Sequence, residues 1–394
     1  MKRSFPNDFL WGASVSAHQV EGNTKNDWSA WEPLHAKNRA RKTGESLENY
    51  ISSKAADHYS LYENDFDLAK ELNFNAFRFS LEWSRIEPQK GHFDRAEIEH
   101  YRRYIYALKK RGLKPFMTLW HFTNPLWFSK EGGWASKNAT AYFGRYVARV
   151  VSEFGKDVTH LITLNEPGVY LFAHLYQGPQ HLKNPLSYIN TFRNFVAAHK
   201  TAYHAIKDYD PSLEVGASLN MSYFEAFENK RFNRVIKRCA DTINYASAKS
   251  LERELDFIGL NHYTYNIINL QKVPYTPVSD IGWNLYPPSI EHVLCDLKRF
   301  NKPIYITEHG LADAADTYRT WFIKETLKHV HNAIKSGVDV QGYFHWSLLD
   351  NFEWEAGFHP RFGLIHVDYD TLERRVRPSA YDYAGVCKTN SLDE

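Results

Sequence analysis

Two glutamates, Glu166 in Thr163-Leu-Asn-Glu-Pro167 and Glu308 in Ile306-Thr-Glu-His-Gly310, each sit where a short apolar and β-branched run breaks into a Pro or Gly turn. The runs His160–Asn165 and Pro303–Thr307 read as strands, so the two acids are expected at matching rims of one scaffold although they lie far apart in the chain. Paired carboxylates facing one cavity are what hydrolysis of a glycosidic bond requires.

The elements that must hold them form a regular series. Strand-like runs fall at about 9–17, 76–81, 114–121, 160–166, 214–221, 257–263, 303–308 and 340–350. Helical spacing of apolar residues fills the intervals, as in 57–72 (Tyr59, Tyr62, Phe66, Ala69, Leu72) and 317–336 (Trp321, Ile323, Leu327, Val330, Ile334), the latter stopping at Gly337. Further helices are expected at 95–111, 138–154, 190–208, 231–253, 289–299 and 379–388. Strands alternating with helices predict an α/β chain folded as a (β/α)8 TIM barrel, whose active site lies at the C-terminal strand ends. No Ser/Gly-rich linker or low-complexity segment marks a boundary, so one domain over 1–394 is expected.

Polar residues gather at those C-terminal ends. Gln19 follows the first strand, Arg78 lies in the second and His121 ends the third. Asn165 and Glu166 end the fourth, Asn261 and Tyr263 the sixth and Glu308 the seventh, while Trp346, Glu353 and Trp354 come with the eighth. Each has a plain alternative when taken singly: a solvated loop carboxylate for either glutamate, a satisfied core histidine for His121, core rings for Trp346 and Trp354. Their concentration at one rim favours chemistry, because stability alone does not demand it. Arg78, between Phe77 and Phe79, needs a partner anion if its strand is buried.

Composition narrows the classes. Lys+Arg 48 against Asp+Glu 46 leaves a net charge of +2, and no basic run is interleaved with Gly or aromatic residues, which argues against nucleic acid as a partner. No apolar stretch is long enough to span a membrane or to form a signal peptide, so a cytoplasmic protein without a membrane partner is expected. Cys239, Cys295 and Cys387 are odd in number and widely spaced, and predict neither a disulfide framework nor a metal site. The aromatic share, 15%, suits a core and also sugar-stacking rings, and does not separate the two.

The chain resembles the family 1 β-glycosidases from Phe5-Pro-Asn-Asp-Phe-Leu-Trp-Gly-Ala-Ser14 to Arg377-Pro-Ser-Ala380. Between these lie Phe77-Arg-Phe-Ser80, Trp83-Ser-Arg-Ile86, Thr163-Leu-Asn-Glu-Pro167, Asp256-Phe-Ile-Gly-Leu-Asn-His-Tyr-Thr264 and Gly342-Tyr-Phe-His-Trp-Ser-Leu-Leu-Asp-Asn-Phe-Glu-Trp354. A lone Asn-Glu-Pro is weak, but these blocks in this order are specific, and Glu308–Asp313 with Gly342–Trp354 is similar to the archaeal-type branch. The resemblance implies a retaining exo-β-glycosidase acting on terminal unphosphorylated β-glucosides, with β-galactosides or β-fucosides as further substrates. It implies Glu308 as nucleophile and Glu166 as general acid/base, with Arg78 and Tyr263 favouring a charged Glu308 and burial keeping Glu166 protonated. Asn165 corresponds to the residue binding the sugar 2-hydroxyl. Gln19, His121, Glu353 and Trp354 correspond to those binding the 3-, 4- and 6-hydroxyls, and Trp346 to the ring beneath the sugar. Asn261 is a supporting residue, and no metal or cofactor is implied. The partner is a small β-glycoside or oligosaccharide.

Three other readings stay open: a 6-phospho-β-glycosidase, which Glu353 opposes because that branch typically carries Ser there; a β-mannosidase; and a non-catalytic sugar-binding barrel, which the presence of both glutamates opposes. The chain departs from the family at His309, usually Asn, and at His262, commonly Tyr, and both are expected to bear on Glu308. Shortening at 177–185 and 264–283 predicts an open aglycone entrance and loose leaving-group selectivity.

Overall fold

The computed structural model describes residues 2–171, 179, 185–226, 231–268 and 277–393. Eight parallel strands close into a barrel: β1 (Leu10–Ser14), β2 (Ala76–Ser80), β3 (Lys114–Thr118), β4 (His160–Asn165), β5 (Glu214–Asn220), β6 (Phe257–Asn261), β7 (Ile304–His309) and β8 (Val340–Trp346). They pair in chain order, and β8 closes on β1 with Trp346 opposite Ser14. All eight expected runs are strands of this barrel.

The helices that cover it are α1 (Asp27–Thr43), α2 (His58–Glu71), α3 (Arg95–Lys110), α4 (Ala139–Phe154), α5 (Pro185–Tyr209), α6 (Arg231–Asn244), α7 (Ala246–Leu251), α8 (Ser289–Leu297), α9 (Arg319–Lys335) and α10 (Pro378–Thr389). Along α4 the buried residues are Tyr142, Phe143, Tyr146, Val147, Val150, Val151 and Phe154, the three-and-four spacing that lays one apolar stripe on the sheet. Inside the barrel, Leu10, Ala76, Phe116 and Phe344 fill the lower end, with the His160 ring stacked on Phe116 at 4.2 Å. The lower end of the barrel is therefore filled by side chains rather than open as a pore.

Three sequence expectations need correction. Most of the expected strands overrun the observed ones: β1 stops at Ser14, and Gln19 lies in the helical turn Ala17–Val20; β3 stops at Thr118 and β6 at Asn261, so His121 and Tyr263 stand on the loops beyond. The apolar pattern continues there because Leu119 and Trp120 are still core, and the Leu119 N–H still donates to the Ile162 carbonyl at 2.8 Å. The single helix expected at 231–253 breaks at Tyr245, which is buried and donates its hydroxyl to Asp296 at 2.9 Å. Helix α1 was not expected. Its buried positions include Asp27 and Glu32 and it carries Pro33, so it shows no apolar period; an Asn26–Ser29 capping box starts it. The shortened loops fall partly outside the described residues.

Candidate active site

The barrel register sets the site. Asn165 lies opposite Ser218, Asn220 opposite Asn261, and Asn261 opposite Glu308, so neighbouring strands β4 to β7 bring a row of amides and a carboxylate to one level of the rim. The pairing shifts register between Ile162 and Asn165 and again between Ile306 and Glu308. Such irregularities re-aim side chains next to active sites. On β7 the shift lets Thr307 donate to Asn261 Oδ1 at 2.7 Å while Glu308 faces Arg78 and Tyr263.

Glu166 has φ +44° and ψ +55°, the left-handed region, immediately before a proline. That conformation costs an L-residue about 1–2 kcal/mol, and residues before proline favour extended backbone. The Glu166 N–H donates to the Ser218 carbonyl at 2.7 Å, which pins the turn to β5 and points the carboxyl across the barrel mouth.

Gln19, His121, Asn165, Glu166, Tyr263, Glu308, Trp346, Glu353 and Trp354 all line one cavity of about 340 Å³. Arg78 and Asn261 lie just beneath it, both fully buried. The two glutamates are held differently. Arg78 Nη1 donates to Glu308 Oε1, and the Tyr263 hydroxyl donates to Glu308 Oε2 at 2.8 Å. Glu166 Oε1 accepts from the amides of Asn261 at 2.8 Å and Asn220 at 3.2 Å. One carboxylate has a buried cation and a phenol; the other, among the described residues, has neutral amide donors.

Burial, and then the negative charge of Glu308, push the Glu166 carboxyl up to about 8, against opposing hydrogen bonds from Asn261 and Asn220 and the Arg78 charge. Burial also raises the Glu353 carboxyl to about 7, with Glu308 and Glu355 adding to the rise and bonds from Asn351 and Gln19 opposing it. The Tyr263 phenol stays protonated, because burial and the surrounding carboxylates penalise a phenolate.

Asn165 is oriented by exhausting its oxygen. Oδ1 accepts from Arg78 Nη2 at 2.6 Å and from Asn261 Nδ2 at 3.1 Å, which turns Nδ2 towards His121 Nε2 at 3.2 Å and the cavity. Gln19 Nε2 donates to Glu353 Oε2 at 3.2 Å and to the Phe352 carbonyl at 3.0 Å. Asn351 Nδ2 holds the same Glu353 oxygen at 2.8 Å.

Residues that the sequence reading missed complete the frame. Asn220 ends β5 and bonds Glu166; the rule applied to the other strand ends also picks it out. His18 stacks on Trp354 at 5.5 Å and 16°, and its ring bonds Glu32 at 2.8 Å and Thr24 at 2.9 Å. No spacing signal links His18 to Glu32 on α1, because that contact exists only after the helix packs.

His309 and His262 do not engage the Glu308 carboxylate. His309 Nδ1 bonds the Tyr343 hydroxyl at 3.0 Å and its ring stacks on Phe322 at 4.9 Å, in the layer between barrel and helices. The His262 ring bonds the Met221 carbonyl and Ser289 Oγ, both at 2.7 Å. Burial lowers both, His262 to about 4 and His309 well below the usual range, so both rings are neutral at neutral pH and add no charge behind Glu308.

Among the described residues, no group of three or more His, Cys, Asp or Glu is arranged to hold a metal ion, and no helix is long and apolar enough to cross a membrane. Cys239, Cys295 and Cys387 are free thiols.

A parallel eight-stranded barrel with two buried glutamates at its rim defines a glycosidase of the (β/α)8 class. Comparison with known proteins narrows this: the profile of glycosyl hydrolase family 1 matches residues 1–241 and 226–392, and the chain belongs to that family. The β-glucosidase A of Thermotoga maritima is 30% identical over 100% of this chain and 99% of its own length. The β-galactosidase of Sulfolobus acidocaldarius is 28% identical over 99% and 96%. A solved β-glycosidase from Pyrococcus horikoshii superposes with a TM-score of 0.91 at 34% identity, covering 100% of this chain and 97% of that one. The Thermotoga maritima β-glucosidase solved in complex with glucoimidazole superposes at 0.89 and 28% identity, covering 98% and 99%. The chain is a β-glycosidase of this family.

Proposed function

We propose that the chain, as one catalytic domain over 1–394, is a retaining exo-β-glycosidase acting on terminal unphosphorylated β-D-glucosides, and on β-galactosides and β-fucosides. The observation that carries this reading is the unequal holding of the two glutamates around one cavity: Glu308 clamped by Arg78 and Tyr263, Glu166 buried among neutral amides and pushed up to about 8. In a retaining mechanism the two carboxyl groups lie roughly 5–5.5 Å apart.

Ionised Glu308 attacks the anomeric carbon as Glu166 passes its proton to the leaving oxygen. Once Glu308 is esterified by the sugar its negative charge is gone. One of the two main causes raising Glu166 then disappears, and Glu166 takes a proton from the incoming water. Asn165 Nδ2, turned outward by the bonds to its oxygen, is placed to bind the sugar 2-hydroxyl as the oxocarbenium-like state develops. Gln19, His121, Glu353 and Trp354 bind the remaining hydroxyls, with Trp346 beneath the ring.

The cavity lining supports a neutral sugar. Among its described residues are four carboxyl groups, Glu166, Glu308, Glu353 and Glu355, and no Lys or Arg, so a phosphate dianion has nothing to pair with. Thermotoga maritima β-glucosidase complexes with glucoimidazole and deoxynojirimycin among the structural neighbours support a small sugar-like ligand.

The test is the stereochemistry of the first-formed product, followed by proton NMR on nitrophenyl β-glucoside. Retention is expected, with Glu308→Gln inactive and Glu166→Ala rescued by azide on an activated substrate. Inverted product overturns the retaining mechanism, and no hydrolysis overturns the catalytic reading.

A further inference from the structure

Helix α6 turns its apolar residues away from the barrel it covers. Phe232, Val235, Ile236 and Ile243 are each between 38% and 62% exposed, and the free thiol of Cys239 joins them at the surface. With about 100° of rotation per residue, these side chains fall within one arc of about 100°, and the stripe from Phe232 to Ile243 runs about 16 Å along the axis.

The inward side of the same helix is polar and already engaged. Asn233 is buried, Lys237 pairs with Asp241 at 2.7 Å, and Asn244 Nδ2 donates to the Ser222 carbonyl at 2.9 Å. A surface helix ordinarily buries its apolar stripe and exposes its polar face. Here the order is reversed, and an exposed apolar patch of this kind marks an interaction surface.

Charge selects the occupant. Arg234 and Arg238 stand exposed beside the stripe, one turn apart, and neither forms an ion pair among the described residues. The one acid of α6, Asp241, is turned inward to Lys237. A second copy docked across a two-fold axis would set these arginines against their own equivalents, with no acid of the helix to face them. An anionic lipid surface supplies what both features lack: hydrocarbon for the stripe and phosphates for the guanidinium groups. The expectation of no membrane partner rests on the lack of a spanning stretch, and no described helix can cross a membrane. A helix lying in the headgroup layer needs only one apolar face.

We infer that α6 is an interfacial helix that docks the protein on an anionic lipid surface, with Phe232, Val235, Ile236 and Ile243 entering the headgroup boundary and Arg234 and Arg238 pairing with lipid phosphates. Docking is read without turnover, so the inference stands or falls apart from the glycosidase reading.

The test is flotation of the full chain with vesicles of phosphatidylcholine alone and of equal parts phosphatidylcholine and phosphatidylglycerol. Two arginines at the surface should make binding to the anionic vesicles about 10- to 30-fold tighter, and raised salt should remove most of that preference. Phe232→Glu combined with Ile236→Glu, both at exposed positions, should weaken binding by at least about tenfold. Their nitrophenyl β-glucoside rate in solution should match that of the wild type, which shows that the fold is intact. Arg234→Glu with Arg238→Glu should abolish the preference for the anionic vesicles, while Tyr106→Glu, an exposed ring on α3, should change nothing. Phe232→Trp keeps the stripe apolar, and its emission, taken as the difference from wild type, should shift to shorter wavelength with anionic vesicles. No binding to the anionic vesicles overturns the inference, as does binding that the Phe232→Glu, Ile236→Glu protein retains. A dimer in light scattering that this variant splits also overturns it, in favour of a second copy on the stripe.

Discussion

The Tyr263 hydroxyl donates to Glu308 Oε2 at 2.8 Å while Arg78 holds the other oxygen, so both lone-pair faces of the proposed nucleophile are set before substrate arrives. Such preorganisation acts through geometry as well as charge, because a carboxylate with one free oxygen swings about its last torsion.

Tyr263→Phe removes this donor without emptying the site. A hydrogen bond to a charged group is worth about 1.5–3 kcal/mol, so kcat/KM for nitrophenyl β-glucoside should fall by about 10- to 100-fold. The melting temperature should stay close to that of the wild type. Unchanged kinetics would show that Arg78 alone orients Glu308.

The Glu166 carboxyl, near 8 in the free enzyme, should set the basic limb of the kcat/KM profile. Because the charge of Glu308 is the second cause of that rise, Glu308→Gln must lower it. A carbon-13 titration of the labelled Glu166 carboxyl should register a downward shift of at least about one unit. No shift would remove Glu308 as a cause and leave burial alone.

The same carboxyl makes folding pH-dependent. Its folded value, about 8, lies above the ordinary 4.5, so the folded chain binds the extra proton between those limits and loses stability as pH rises through that window. Glu166→Gln keeps a carbonyl oxygen for Asn261 and Asn220 and never ionises. It should stabilise the protein by on the order of 1–3 kcal/mol at pH 7–8, and by much less at pH 5, in urea unfolding. An equal gain at both pH values would break the link to ionisation.

Glu353 is shared by Gln19 and Asn351 and faces the cavity. Glu353→Ser should lower kcat/KM for the β-glucoside by about 10- to 100-fold through the lost contacts. It should also narrow the discrimination against 6-phospho-β-glucoside, since a carboxyl group facing the phosphate is gone. Undiminished glucoside turnover would take Glu353 out of the glycone site.

Asp350 anchors the loop that carries Glu353. It is fully buried and accepts from Arg377 at 2.9 and 3.0 Å, with Arg361 and His366 alongside. Burial alone would raise its carboxyl, but the bonds from His366 and Arg377 and the nearby arginine charges hold it below the ordinary 3.8. That stabilisation is present above 3.8 and is lost as pH falls further. Asp350→Ala leaves Arg377 buried without this partner and should cost about 3–5 kcal/mol in urea unfolding; a loss below about 1 kcal/mol would contradict the role.

Much of this was legible in the chain. The eight strands are short runs bounded by Pro, Gly or Asn, and alternation with helical spacing leaves few folds besides a parallel barrel. Helices such as α4 and α9 declare themselves by an apolar stripe; α1 does not, since it buries Asp27 and Glu32 instead. The expected single helix at 231–253 ignored Tyr245, whose burial and bond to Asp296 depend on α8 packing nearby.

By itself the sequence determined the barrel, the rim position of Glu166 and Glu308, and the identity of the groups around them, because strand periodicity and chain order are local properties. Only the tertiary structure decided what those groups do to one another. Two register shifts and a left-handed turn put Glu308 against Arg78 and Glu166 among amides, where burial and the charge of Glu308 raise the Glu166 carboxyl. Folding also turned His309 outward, away from the carboxylate it adjoins in sequence, set His262 against Met221 and Ser289, and opened an apolar chamber beside Glu166 between β5 and α6. Distances between strands, and the burial that shifts a carboxyl, are set by long-range packing that no stretch of sequence contains.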